Sequence, residues 1–86
     1  MDFEFDPNKS RKNQEKHHID FVEAQRLRED PDRIEIPVHT EDEPRTIVIG
    51  KIRGKYWSAI ITTRSEKTRI ISVRRSRKKE IEIYEG

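Results

Sequence analysis

Residues 45–74, RTIVIGKIRGKYWSAIITTRSEKTRIISVR, decide the fold. Ile, Val and Thr dominate the stretch, and its interruptions fall at Gly54 and at Ser65-Glu66-Lys67. β-branched runs bounded by turn residues read as strands. Three strands are predicted, Arg45 to Ile52, Tyr56 to Arg64 and Thr68 to Arg74. Their connections are short enough for an antiparallel meander.

Upstream, Arg33-Ile34-Glu35-Ile36-Pro37-Val38 alternates as a fourth strand, and Pro37, unable to donate to a ladder, places it at an edge. Residues 39–44 form an acidic loop. At the N-terminus Phe3 and Phe5 alternate with Asp2, Glu4 and Asp6 as a short strand. Asp6-Pro7 then reads as an N-cap with Pro at the first helical position, opening a polar helix to about Lys16. A second helix begins at Asp20, whose pairing with Glu23 has capping-box spacing, and Phe21, Ala24 and Leu27 give it a narrow apolar stripe. Asp30-Pro31 stops it. Downstream, Ser76 is expected to cap a last helix over 77–84, with Ile81 and Tyr84 turned inward. The order is βααββββα and the class α+β: one antiparallel sheet, helices on one face, the other face open.

The chain has 86 residues, 30% hydrophobic and 42% charged, so one domain with a thin core is expected across 1–86. There is no cysteine, which excludes disulfides and thiol chemistry. The acidic N-terminus is unlike a signal peptide, no apolar run approaches the ~20 residues of a membrane span, and a cytoplasmic location is expected. The net charge of +2 conceals a polarity. Residues 1–44 carry 7 Lys+Arg against 13 Asp+Glu, a net −6, and residues 45–86 carry 12 against 4, a net +8. The basic half either neutralises the acidic half or meets an acidic partner, nucleic acid or protein.

In the middle strand Trp57, Ala59, Ile61 and Thr63 alternate with Tyr56, Ser58, Ile60, Thr62 and Arg64. In the last, strict alternation places Thr68, Ile70, Ser72 and Arg74 on one face and Arg69, Ile71 and Val73 on the other. The set Tyr56, Ser58, Thr62, Arg64, Ser72 and Arg74 suits a phosphodiester, because guanidinium forks match phosphate oxygens and an aromatic ring stacks a base. The same residue types also suit a plain solvated sheet face. The run Arg74-Arg75-Ser76-Arg77-Lys78-Lys79 concentrates positive potential for phosphate contacts, or pairs with Glu80 and Glu82. His17 and His18 stand at a helix end, where imidazole either serves acid–base chemistry or stabilises the helix terminus. No metal-ligand spacing, phosphate-binding glycine loop or nucleophile motif is present, so no cofactor and no metal is expected.

Four elements in order resemble the BrnT toxins: Phe3-Glu4-Phe5-Asp6-Pro7-x-Lys9; Asn13-x-x-Lys16-His17-x-x-x-Phe21-x-x-Ala24 with Asp30-Pro31; Arg45-Thr46-Ile47-Val48-Ile49-Gly50; and Arg69-Ile70-Ile71-Ser72-Val73-Arg74 followed by Glu80 and Tyr84. The chain departs from the family pattern in having His18 where glycine is common, Val73 and Ser76 at small-residue positions, and Thr62 and Thr63 near an aromatic position. The resemblance implies a RelE-like fold and a metal-independent endoribonuclease that inhibits translation. It also implies a BrnA-type antitoxin, which joins a toxin-binding segment to a ribbon-helix-helix part, so that DNA is reached only through the antitoxin. On this resemblance Arg69 and Arg74, with Arg64 or Arg45, clamp the phosphate, while Glu80 or His17 moves the proton. Tyr84 or Tyr56 positions the base or shares proton transfer, and Arg75, Arg77, Lys78 and Lys79 add phosphate contacts. The competing expectations are a non-catalytic RNA- or protein-binding module of the same fold and a purely structural interaction protein.

Overall fold

The computed structural model describes residues 3–39, 43–64 and 66–86, without the Arg64 side chain. The expectations for Asp2, Thr40, Glu41, Asp42, Ser65 and that side chain lie outside the described residues. The elements are β1 (Phe3–Glu4), α1 (Pro7–His17), α2 (Phe21–Ala24) continued by a 3-10 turn (Gln25–Glu29), β2 (Ile34–Val38), β3 (Arg45–Ile52), β4 (Lys55–Arg64), β5 (Lys67–Arg75) and α3 (Lys78–Glu85). This is an α+β protein.

The five-stranded sheet runs β1-β5-β4-β3-β2, with β2 at the edge where Pro37 belongs. The meander is antiparallel, but β1 pairs parallel to β5, so the sheet is mixed rather than wholly antiparallel. Arg53 and Gly54 join β3 to β4 with φ of 52° and 77°, the two left-handed residues of a tight hairpin turn that twists with its strands.

α1 and α2 cover the face of Val48, Trp57, Ala59, Ile70 and Val73, where Ile19, Phe21, Ala24 and Leu27 complete the core. Phe21 is 1% exposed, a burial worth roughly 1.5–3 kcal/mol. The caps form as the sequence dictates: Asp6 accepts from Asn8 N–H at 2.8 Å and Asp20 from Glu23 N–H at 2.8 Å. Asn13 has a more specific task. β1 is only two residues long, so further along β5 the outer edge has no strand beside it among the described residues. Asn13 supplies the missing partner, donating to Val73 O at 2.9 Å and Ile19 O at 2.8 Å and accepting from Val73 N–H at 3.3 Å.

Two further expectations are corrected. The second sheet face is not wholly open, because α3 lies across one end of it. Its first turn meets Ser58 and Arg74, and its last turn meets Tyr56 and Asp30. Ser76 does not cap α3. Arg77 is the N-cap residue, and the Ser76 hydroxyl instead lies 2.7 Å from that of Ser58.

Candidate nucleic-acid interface

A β-bulge decides which arginines share a face. The β4–β5 register pairs Ala59 with Val73 and Ile60 with Ser72, then slips, so that Ile61 faces Ile70 and Thr62 faces Arg69. Ile71 is the extra residue. Strict alternation put Arg69 opposite to Arg74. The bulge reverses half the strand, sending Val73 into the core with Ile70 and bringing Arg69, Ser72 and Arg74 onto the face of Ser58, Ile60 and Thr62.

That face is organised in lateral rows. Val38, Arg45, Thr62, Arg69 and Glu4 form one row across all five strands. Arg69 Nη1 stands 3.5 Å from Glu4 Oε1, and the Arg45 Nε is buried with no hydrogen-bond partner. Ile36, Ile47, Ile60 and Ser72 form the next row, and Ile34, Ile49, Ser58 and Arg74 the one after it, at α3. The Arg69 and Arg74 rows lie ~13 Å apart along the strands, at about 3.3 Å per residue, so head groups over their own rows meet different phosphates. Arg64 follows Thr63 on β4, with its backbone opposite Lys67.

Arg74 and Glu80 are brought into direct contact. Arg74 Nη1 and Nη2 donate to Glu80 Oε1 and Oε2 at 2.7 and 2.8 Å, a bidentate pair. Glu80 also accepts from the Arg77 N–H at 2.7 Å and the Ser58 hydroxyl at 3.0 Å. The Arg74 guanidinium, helped by these donors, holds the Glu80 carboxyl down at about 2 despite partial burial. Such a carboxylate is ionised throughout the neutral range and is a feeble base. It also sits in the first turn of α3, where negative charge suits the helix dipole and offsets the exposed Arg77, Lys78 and Lys79.

Tyr84 and Tyr56 meet edge to face, centroids 5.5 Å apart, with Lys51 Nζ 4.9 Å from the Tyr56 centroid. The Tyr84 hydroxyl donates to Asp30 Oδ2 at 2.8 Å, and this bond to a carboxylate pushes Tyr84 up to about 12. Burial pushes Asp30 upward, but the donors Lys51 N–H, Asp32 N–H and Tyr84 together hold it below its ordinary value. Asp30 thereby satisfies Lys51 N–H at 2.8 Å and ties α3 to the opposite layer. Gly50 leaves room for this clasp, because a Cβ there would meet Leu27 Cδ2 at 3.0 Å and Asp30 Oδ2 at 3.2 Å. The sequence marked Asp30 as a helix stop and as part of the family pattern, not as a clasp for α3, and the pairing of Ser58 with Ser76 carried no sequence signal.

His17 is not part of the Arg74–Glu80 group. It ends α1, one turn beyond Asn13, on the helix-covered side of the sheet. Arg75 also points to that side and lies 5.4 Å above the Trp57 ring. A cavity of about 410 Å³ opens on the same side, its wall chiefly apolar, with Leu27, Val48, Ile61 and Ile70 among the lining residues. Among the described residues no three His, Asp or Glu side chains converge as a metal site would require. Nor, among them, is any helix long and apolar enough to cross a membrane.

A small α+β frame thus gathers arginines and hydroxyls onto one sheet face, with a cationic run at its margin. Residues 5–80 match the family described as the ribonuclease toxin BrnT of type II toxin–antitoxin systems. The chain belongs to this family, and with it come ribonuclease activity, an RNA target and an antitoxin partner. A comparison with curated proteins finds no match.

Proposed function

We propose that this chain is an endoribonuclease that cleaves RNA without a metal ion on the Arg45–Arg69–Arg74 face, in a RelE-like fold, and so inhibits translation in the cytoplasm. A BrnA-type antitoxin with a ribbon-helix-helix DNA-binding part neutralises it. The observation that carries this reading is the bulge at Ile71, which sets Arg69 and Arg74 on one face beside Arg45. In the reaction the substrate's 2′-oxygen attacks the adjacent phosphorus, the P–O5′ bond breaks, and a cyclic phosphate and a 5′-hydroxyl result. The 2′ proton leaves to a base and O5′ gains one. Charge gathering on the phosphorane is the main barrier, and fixed guanidinium groups stabilise it. Arg69, with Arg45 and Arg64, takes the scissile phosphate, and Arg74 with Arg77, Lys78 and Lys79 holds a flanking one. Glu80 is a positioning residue that fixes Arg74. Glu80 is a feeble base and His17 stands on the helix-covered side, so proton transfer is assigned to neither, and stabilisation of the phosphorane carries the catalysis. Tyr56 and Tyr84 hold α3 over the sheet, while Arg75, over Trp57 on the other side, is left out of the phosphate contacts.

One observation favours a second reading, a non-catalytic binding module: both Arg74 nitrogens that could fork a phosphate are engaged by Glu80. Bulk RNA incubated in EDTA with the wild-type chain and with Arg69→Ala separates the two. Arg69 suits the test because its contact with Glu4 is long and half-exposed, so its loss leaves the fold intact. Fragments from the wild type, lost in the variant, support the nuclease. RNA that is bound but left intact by the wild type overturns it in favour of the module.

A further inference from the structure

The open face is not uniformly cationic. Ile36, Ile47, Ile60 and Ser72 form a lateral row across β2, β3, β4 and β5, between the row of Arg69 and the row of Arg74. All four residues are half-buried. The flanking positions on β3 and β4 are more closed. Ile49 and Ser58 are fully buried in the row at α3, and Thr62 is buried where it donates to Pro44 O at 2.7 Å. A shallow apolar trough thus crosses the sheet, with a guanidinium on each side of its β5 end.

Aliphatic side chains add nothing to phosphate binding, so charge alone does not account for the row. A nucleic-acid strand alternates the two chemistries, because each phosphate is joined to a base whose faces are apolar. The spacing agrees with such a strand. The Arg69 and Arg74 rows lie ~13 Å apart along β5, roughly two nucleotide steps of an unstacked chain. Neighbouring strands are ~4.8 Å apart, so a base reaching sideways from a backbone that follows β5 passes over Ile60 and then Ile47. A guanidinium carries more N–H groups than the pair with Glu80 uses, so Arg74 keeps donors for a phosphate.

We infer that this row is a nucleobase subsite: unstacked bases of a single strand lie on Ile60, Ile47 and Ile36, while Arg69 and Arg74 hold the phosphates on either side. The inference rests on the proposed use of the same face for RNA and adds the part of the substrate that the arginines do not touch. Isoleucine offers no hydrogen bond to a base edge, so the subsite tolerates any sequence. It requires bases that are unpaired, because paired bases face one another inside a duplex.

The test compares two fluorescent oligomers of about ten nucleotides, with binding to the full chain read by anisotropy at fixed salt. One is an unstructured 2′-fluoro oligoribonucleotide. The other keeps the phosphodiester chain but carries tetrahydrofuran in place of every nucleoside. Neither has the attacking 2′-hydroxyl, so neither is cut. The wild type is expected to bind the base-bearing oligomer about tenfold more tightly than the baseless one. Ile60→Thr and Ile47→Thr keep the β-branch and remove apolar contact. Each is expected to weaken the base-bearing oligomer about fivefold and to leave the baseless one unchanged. Arg69→Ala weakens both, and Val22→Thr, at an exposed position on α2, weakens neither. The two isoleucine variants stand in for each other if Trp57 fluorescence shows one to be poorly folded. Equal wild-type affinity for the two oligomers overturns the subsite. So do folded isoleucine variants that match the wild type or weaken both oligomers alike. In those cases a loss on Arg69→Ala leaves the phosphate clamp and the nuclease reading standing. Arg69→Ala binding as the wild type does, or a wild type that binds neither oligomer, overturns the clamp and the subsite together.

Discussion

Replacing Glu80 by Gln removes one charge from the bidentate pair while keeping size and hydrogen-bonding capacity. The Glu80 carboxyl is held at about 2 against an ordinary 4.5. At ~1.36 kcal/mol per pKa unit, that gap corresponds to about 3 kcal/mol of stabilisation of the ionised form. The side chains of Arg74 and Glu80 are 22% and 14% exposed, so water screens part of this, and about 2 kcal/mol is expected. The folded pKa lies below the unfolded one. The contribution is therefore complete above about pH 4.5 and fades as pH falls toward 2. Urea unfolding followed by the fluorescence of the single tryptophan, Trp57, at pH 7 and pH 2.5 measures both parts. Glu80→Gln is expected to be less stable than wild type at pH 7 by about 2 kcal/mol, or roughly 8–16 °C in Tm for a chain of this size. Most of that difference disappears at pH 2.5. A gap below about 0.5 kcal/mol at pH 7, within the range of an ordinary exposed pair, would refute the reasoning. So would a gap that persists unchanged in acid.

Gly50→Ala forces a Cβ to within 3.0 Å of Leu27 Cδ2 and 3.2 Å of Asp30 Oδ2, so thermal unfolding is expected to report a loss of about 1–3 kcal/mol. His18 ends α1 in the left-handed region, at φ 63° and ψ 29°, and His18→Gly is expected to raise stability by about 1 kcal/mol in urea titration; a decrease would refute strain there. Asn13→Ala leaves three buried backbone groups of Ile19 and Val73 without their partner, and a loss of about 3 kcal/mol is expected by the same titration.

The legible parts of the fold are those set by local chemistry. Asp6-Pro7, Asp20, Gly54 and Pro37 each fix a backbone geometry within a few residues, and each appears where its chemistry requires. What could not be read depends on partners distant in sequence. The parallel pairing of β1 depends on β5, more than sixty residues away. Nothing in the run Phe3-Glu4-Phe5 indicates its direction. α3 takes the far face because Tyr84 finds Asp30 and Glu80 finds Arg74, contacts that hydrophobic periodicity does not encode.

The candidate site turns on a single residue of register. Read with strict alternation, Arg69-Ile70-Ile71-Ser72-Val73-Arg74 splits its two arginines between faces and leaves Val73 apart from Ile70. The adjacent isoleucines do not mark the break, since Ile60-Ile61 on β4 alternate normally, and only one of Ile70 and Ile71 can follow the core. Burial settles which: Ile70 and Val73 are 2% and 0% exposed, an interval of three residues that a strand can bridge only by bulging. Satisfying the core therefore sends both arginines to the other face. Deleting Ile71 would leave Arg69-Ile70-Ser72-Val73-Arg74, in which strict alternation by itself puts Ile70 and Val73 in the core and Arg69, Ser72 and Arg74 on the other face, so the arginine face survives the loss of the bulge.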